Sequence, residues 1–345
     1  MEPVPLCKGE VILTIERPEE LMAHKWGKCH ASAVVVPDAE SVLTAKSMIE
    51  GRPVGAFINA DGWNPEEDIG AKWPSERLIG RFRNIAARAI HHEADFLYIR
   101  MRQNLHVLRA AVLGATDLSG VPILAEIPVD EDGCTPDGAS AMAVVGILQR
   151  IGVCSVILSG DAEAVDETIA ELKPHVHVAL GASIEDVYDL ERMTQLNKVA
   201  FYHTLEPDDV NAILNKIPAL KYSEEHDADD DYFLAPVGEH VHFVDATIDI
   251  SDPIDLEDRF GETLLELEDR WSGALKLEIM TADDVLLLSN CQYMIDRPVC
   301  LAVENPELFE EALRVFDGIA LYDGTWELEE KTLRFFCEHY GLIVL

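Results

Sequence analysis

Two stretches of this chain end in side chains that could do chemistry. KVAFYHTLEPDDV, Lys198 to Val210, carries Tyr202 and His203 where an apolar run gives way to a helix start, and DFLYIRMRQ carries Arg100 and Arg102 at the end of another. A tyrosine and histidine at such a junction offer an acid and a base for proton transfer; the histidine could equally satisfy a core hydrogen bond. Paired guanidiniums hold carboxylate or phosphate groups in a fork of N–H donors, or they neutralise acidic loops such as VDEDG from Val129. Asn59 in GAFINADG, Glu126 in PILAEIP, and Ser159 and Asp161 in SVILSGDAEAV end comparable runs and complete the candidate ligand contacts. Cys134 follows PILAEIP and could join His203 as a nucleophile, although a lone loop cysteine is inert without an electropositive setting.

The elements that must position these residues follow a strand–helix alternation. Strand runs begin at Val11 (VILTIE), Ser32 (SAVVVP), Pro53 (PVGAFIN), Asp95 (DFLYIR), Pro122 (PILAEIP), Ser155 (SVILSG), Val176 (VHVALG) and Lys198 (KVAFYH). Amphipathic segments such as SERLIGRFRNIAARAIHHE and DAEAVDETIAELKPH separate them, with apolar residues three and four apart. PDAES and EPDDV place acids at helix starts, where the helix dipole favours them. Eight such units predict a (β/α)8 barrel over residues 1–218, with its chemistry at the C-terminal ends of the strands. Residues 219–241, KYSEEHDADDDYFLAPVGEH and its flanks, read as an acidic linker without the glycine and final glutamate of a calcium loop. Residues 242–345 predict a smaller α/β domain, a parallel sheet of HFVDATI, ALKLEIM, PVCLAV, GIALYDG and LIVL with helices covering both faces.

Composition narrows the partners. The 345 residues carry 27 Lys and Arg against 64 Asp and Glu, a formal charge of −37 that repels nucleic-acid phosphate and anionic lipid. No basic segment precedes an apolar run at the N-terminus and no apolar stretch is long enough to span a bilayer, so a cytoplasmic protein is expected. The seven cysteines are scattered, without a CxxC pair. GxGxxG, P-loop and HExxH motifs are absent, and no cofactor is expected.

The run of junctions from GRPVGAFINADG through EADFLYIRMRQNLHVLRAAV, PILAEIPVDEDGCTPDGAS and GVCSVILSGDAEAV to VAFYHTLEPDDVNAI resembles the homocysteine S-methyltransferase family, the zinc-dependent barrel also found in methionine synthases. The resemblance covers about Val11 to Pro218. It implies a zinc ion held by three cysteines, one ending the sixth strand and a pair ending the eighth, which would lower the pKa of the substrate thiol. The matching positions here are Gly160, Tyr202 and His203, and the glutamate expected to fix the homocysteine ammonium falls on Arg100. With no zinc ligands and reversed charge at the mouth, the resemblance implies a methyltransferase-like barrel that has lost zinc-dependent methyl transfer and binds a small anion or a partner instead, or an active methyltransferase or other enzyme using Tyr202 and His203 as acid and base. A corrinoid or methyltransferase partner protein is expected from the same resemblance, and PVCLAVENPELFEEALRVFDGIALYDG is similar to the later half of the pterin-binding barrel of methionine synthases. The pterin-gripping residues and an Asp-x-His-x-x-Gly cobalamin motif are missing.

Overall fold

The computed structural model describes residues 10–17, 20, 30–49, 51–59, 74–101, 104–118, 120–194, 199–216, 232–256, 260–268 and 273–345. Arg102, Cys7, Cys29 and residues 219–231 of the expected linker lie outside the described residues. Contacts divide the chain into two compact units, one of Met1–Trp63, Ile79–Asp137 and Gly152–Ala228, the other of Asn64–Leu78, Gly138–Ile151 and Asp229–Leu345.

In the first unit, β1 (Glu10–Thr14), β2 (Ala33–Val36), β3 (Val54–Ile58), β4 (Phe96–Arg100), β5 (Ile123–Pro128), β6 (Ser155–Ser159), β7 (Ala179–Ser183) and β8 (Phe201–Thr204) close a parallel barrel in chain order. This is the (β/α)8 architecture the alternation predicts. Continuous apolar runs such as AVVV become strands because both faces are covered, and all four of those residues are buried. The helices that follow these strands in the chain are α1 (Glu40–Met48), α2 (Pro74–His91), α3 (Leu105–Thr116), α4 (Ala141–Arg150), α5 (Ala162–Leu172) and, after β8, α6 (Pro207–Lys216); of these, α4 and the first residues of α2, up to Leu78, are counted with the second unit. Asn104, Ser140 and Asp161 cap α3, α4 and α5 by accepting bonds from backbone N–H groups that have no partner within the helix. Between β7 and β8 the described helix is only a 3-10 turn, Val187–Glu191.

The interior is filled from alternate strand positions by Ile12, Ala33, Val35, Phe96, Tyr98, Leu124, Ile157 and Phe201. Two of its aromatic rings lie over glycines of the neighbouring strand. Phe96 is paired in register with Gly55, and Phe201 with Gly181. A Cβ built on Gly55 would lie 2.3 Å from the Phe96 ring, and one on Gly181 would lie 2.5 Å from the Phe201 ring. Overfilling a packed interior costs ~1–3 kcal/mol. Gly55→Ala is therefore expected to lower the unfolding free energy in urea by that amount, and Phe96→Leu in the same chain to recover part of it; an unchanged unfolding free energy in Gly55→Ala would contradict the packing.

One strand differs from its expected position. VHVALG from Val176 is predicted to form the seventh strand, yet β7 begins at Ala179. His175 and Val176 donate backbone bonds to Leu172 O and stay tied to the end of α5, so the chain joins the sheet three residues later. This shift makes Ser183 a strand-end residue.

In the second unit, β9 (Phe233–Leu234) and β10 (Phe243–Val244) form an antiparallel ribbon, and β11 (Ile254–Asp255), β12 (Leu275–Glu278), β13 (Val299–Ala302), β14 (Leu321–Tyr322) and β15 (Ile343–Val344) form a parallel sheet. HFVDATI is thus not the sheet's first strand. Bonds between Ala235 N and His242 O and between Val237 and His240 fold 233–244 back on itself, and Ile254–Asp255 takes the edge of the sheet. α7 (Phe260–Glu268), α8 (Ala282–Cys291), α9 (Pro306–Val315) and α10 (Glu330–Tyr340) connect the five strands. The expectation of helices on both faces is corrected by strand order. Strands added in sequence by right-handed crossovers return their helices to one side, and α9 packs against both α8 and α10 there. No described helix is long and apolar enough to cross a membrane.

Candidate active site

Strand periodicity decides which predicted residues meet. Ile12, Tyr98 and Phe201 belong to the interior cluster, so residues two further along each strand, Thr14, Arg100 and His203, also face inward. The same count from Leu124 and Ile157 brings Glu126 and Ser159 inward. Tyr202 lies between two inward residues and belongs to the opposite face, where burial holds its phenol above the usual range. The structure therefore does not bring Tyr202 and His203 together as an acid–base pair.

His203 is fully buried and stands at the centre of a polar cluster. Its Nδ1 lies 2.9 Å from Ser183 Oγ and its Nε2 lies 2.8 Å from Thr14 Oγ1. Tyr98 OH is 3.4 Å from the same Nε2, with the two rings stacked at 5.7 Å. Burial, and then the nearby Arg100 charge, depress the imidazole to about 3, so it is neutral at physiological pH. Cys134 is not among its partners; the Cys134 thiol points to Asp132 O at 3.7 Å.

The Tyr98 hydroxyl donates to Glu126 Oε2, and Arg100 Nε reaches the same oxygen at 2.8 Å. Strand register sets this pairing, since Arg100 and Glu126 are direct partners across β4 and β5. Burial pushes the Glu126 carboxyl up to about 8, reinforced by the charges of Glu16 and Glu185, while its bond to Ser159 and the adjoining guanidinium favour the ionised form. On its outer side Arg100 Nη1 meets Glu16 Oε1 at 2.9 Å. A cavity of about 200 Å³ opens above this group, lined by Thr14, Ile15, Glu16 and Arg17 at the end of β1, Pro37, Phe57, Asn59, Tyr98 and Arg100. Tyr98 and Arg100 thus touch the cavity while Glu126 backs both.

Of the predicted contacts, Arg100 and Asn59 line the cavity, Glu126 and Ser159 lie behind it, and Asp161 does neither. The Asp161 carboxylate caps α5 through Glu163 N and binds Arg192 at 3.1 and 3.3 Å, a structural use that the exposed turn explains. Tyr98, Thr14, Glu16 and Ser183 escaped the sequence reading. Tyr98 was within reach, because in YIRMRQ it stands two residues before Arg100 and shares its face. Ser183 was hidden by the displaced seventh strand.

The three positions matched to zinc cysteines do not fit a metal. Gly160 has φ +148°, and a Cβ there would lie 2.3 Å from Val129 O. Tyr202 faces away, and both ring nitrogens of His203 already have hydroxyl partners. Among the described residues no group of three or more His, Cys, Asp and Glu side chains is placed to hold a metal ion.

No family model and no curated protein sequence matches the chain. Among solved structures it is similar to the apo form of the homocysteine methyltransferase MmuM from Escherichia coli, at 12% identity over 61% of this chain and 96% of that one, with TM-score 0.48. It is similar also to the carboxyl transferase domain of Rhizobium etli pyruvate carboxylase with pyruvate (8% identity, 63% and 45% covered, TM-score 0.43) and to a GH18 chitinase from Pseudoalteromonas aurantia (9%, 60% and 98%, 0.44). These likenesses select no chemistry.

Proposed function

We propose that the barrel mouth binds a small anionic molecule through Arg100, and that the chain is a divergent homocysteine S-methyltransferase-like barrel of one-carbon metabolism that does not use zinc-activated thiolate chemistry. The observation that carries the first part is the guanidinium at the cavity wall, fixed from behind by a buried carboxyl. A guanidinium preset in this way loses little freedom on binding an oxyanion. The second part is supported by the backbone at Gly160, which excludes a thiolate side chain.

A second reading, an active enzyme, is favoured by Tyr98 and Glu126 rather than by Tyr202. A carboxyl whose protonation straddles neutrality, bonded to a phenol that faces the cavity, suits proton transfer. With Glu126 protonated, the Tyr98–Glu126 bond runs the other way from that of the ionised form: the carboxyl donates to the phenol oxygen, and Tyr98 gives its own proton to the bound molecule as it takes the one from Glu126, leaving His203 to orient the phenol. In this reading Arg100 anchors and Asn59 selects.

Calorimetric titration of short carboxylates and of inorganic phosphate tests the site. Arg100→Gln removes a charged hydrogen bond, generally ~1.5–3 kcal/mol, and is expected to weaken anion binding at least roughly ten-fold. Equal binding by wild type and Arg100→Gln would remove the barrel-mouth reading. Zinc-dependent thiol methylation by the purified protein would remove the zinc-free one.

A further inference from the structure

Arg100 has two carboxylate partners of different standing. The Glu126 bond is buried, with 6% of that side chain exposed, and strand register fixes it; Glu16 is 44% exposed, lies beyond the last residue of β1 and forms part of the cavity wall. Exposed ion pairs are weak because water and salt compete for both charges. The outer side of a guanidinium that is itself only 16% exposed nevertheless needs an acceptor, and Glu16 supplies one from within the chain.

We propose that the Glu16 carboxylate stands in for the carboxylate of the natural ligand, a short monocarboxylic acid that displaces Glu16 from Arg100 Nη1 when it enters the cavity. This deepens the barrel-mouth reading and rests on it. Two observations set the ligand class. The cavity, at about 200 Å³, is smaller than the ~300–1,000 Å³ of sites for drug-sized molecules, so the body of the ligand is compact. Ile15, Pro37 and Phe57 offer that body apolar walls, with the Asn59 amide as a polar neighbour. The charge is single: of the two guanidiniums that line the cavity, Arg17 is 70% exposed and faces Glu20 at 3.8 Å, so a dianion would set its second negative charge beside Glu16 with only Arg100 held firmly against it.

Propionate, propionamide and inorganic phosphate are the probes, titrated into the full chain as wild type, Glu16→Gln and Arg100→Gln. Removing the competing carboxylate is expected to tighten propionate binding roughly five-fold at low ionic strength, with the gain shrinking in high salt and propionamide unaffected. If Arg100→Gln abolishes propionate binding while Glu16→Gln binds no tighter than wild type, the displacement of Glu16 is overturned and the anion site stands. If Arg100→Gln binds propionate as well as wild type does, the anion site falls and takes this inference with it. Phosphate bound more tightly than propionate by Glu16→Gln overturns the monocarboxylate class. Should Arg100→Gln fail to fold, the Arg100 Nε–H resonance decides: it shifts with propionate in Glu16→Gln, and a stationary resonance overturns the proposal.

Discussion

Installing cysteines at Gly160, Tyr202 and His203 is expected to yield a protein that neither binds zinc through those thiols nor keeps its stability. The three positions fail for different reasons. At Gly160 a Cβ would sit 2.3 Å from the Val129 carbonyl oxygen on a backbone with φ +148°. The conformation alone costs a non-glycine residue ~1–3 kcal/mol, and the clash adds a comparable overpacking penalty. A thiol at 202 would project from the face opposite to one at 203, so the two could not converge on one ion. Replacing His203 would strip the ring partner from Ser183 and Thr14, each a hydroxyl whose desolvation costs ~1–3 kcal/mol if nothing replaces it, while Tyr98 keeps its bond to Glu126. Those losses approach the ~5–15 kcal/mol that holds a typical domain together, so the triple variant should not fold. Gly160→Cys alone is the readable case, with an expected loss of about 2–6 kcal/mol in urea unfolding. Stoichiometric zinc in a triple variant with a native-like unfolding midpoint would refute the argument.

The barrel was legible because its signal is repetitive. Strand runs from Val11 to Phe201 recur with helical patterns between them, and parallel pairing follows from continuous apolar strands that tolerate no solvent face. The second unit was less legible where strands are two residues long: Phe243–Val244 and Ile254–Asp255 carry no periodicity, and only the backbone bonds of 233–244 decide which joins the sheet. The site divides along the same line. Arg100, Asn59, Glu126 and Ser159 were found because they lie at or near the C-terminal ends of strands. Pairing Tyr202 with His203 neglected alternation, which sends neighbours to opposite faces, and the same rule applied to YIR would have yielded Tyr98. Glu16 could not have been found this way, since its role arises where a loop after β1 meets a side chain of β4.

Protein stability should fall as pH rises from about 6.5 toward 8, and Glu126→Gln should abolish that fall. Glu126 is raised from an ordinary 4.5 to about 8 by burial, so above pH 4.5 the unfolded chain releases a proton that the folded chain retains, and folding weakens with rising pH until the folded carboxyl also ionises. His203 works in the opposite sense. Depressed from 6.5 to about 3, it lets the unfolded chain hold the extra proton between those values, so its contribution strengthens with rising pH and is complete by about 6.5. Between about 4.5 and 6.5 the Glu126 slope is opposed by His203 and by His242, which burial also depresses; beyond that the Glu126 slope dominates, at up to ~1.4 kcal/mol per pH unit for one proton. The steepest change belongs near pH 7, above the pH at which the His203 contribution is complete and below the value of about 8 at which the folded Glu126 carboxyl itself ionises. Glu126→Gln keeps an oxygen for Tyr98 and Arg100 but cannot titrate, which separates proton linkage from loss of the hydrogen bonds. Urea unfolding of both proteins at half-unit steps from pH 5 to 9 measures the difference. Parallel curves above pH 6.5 would mean that Glu126 is already ionised there, and with it the Tyr98–Glu126 proton source would be lost.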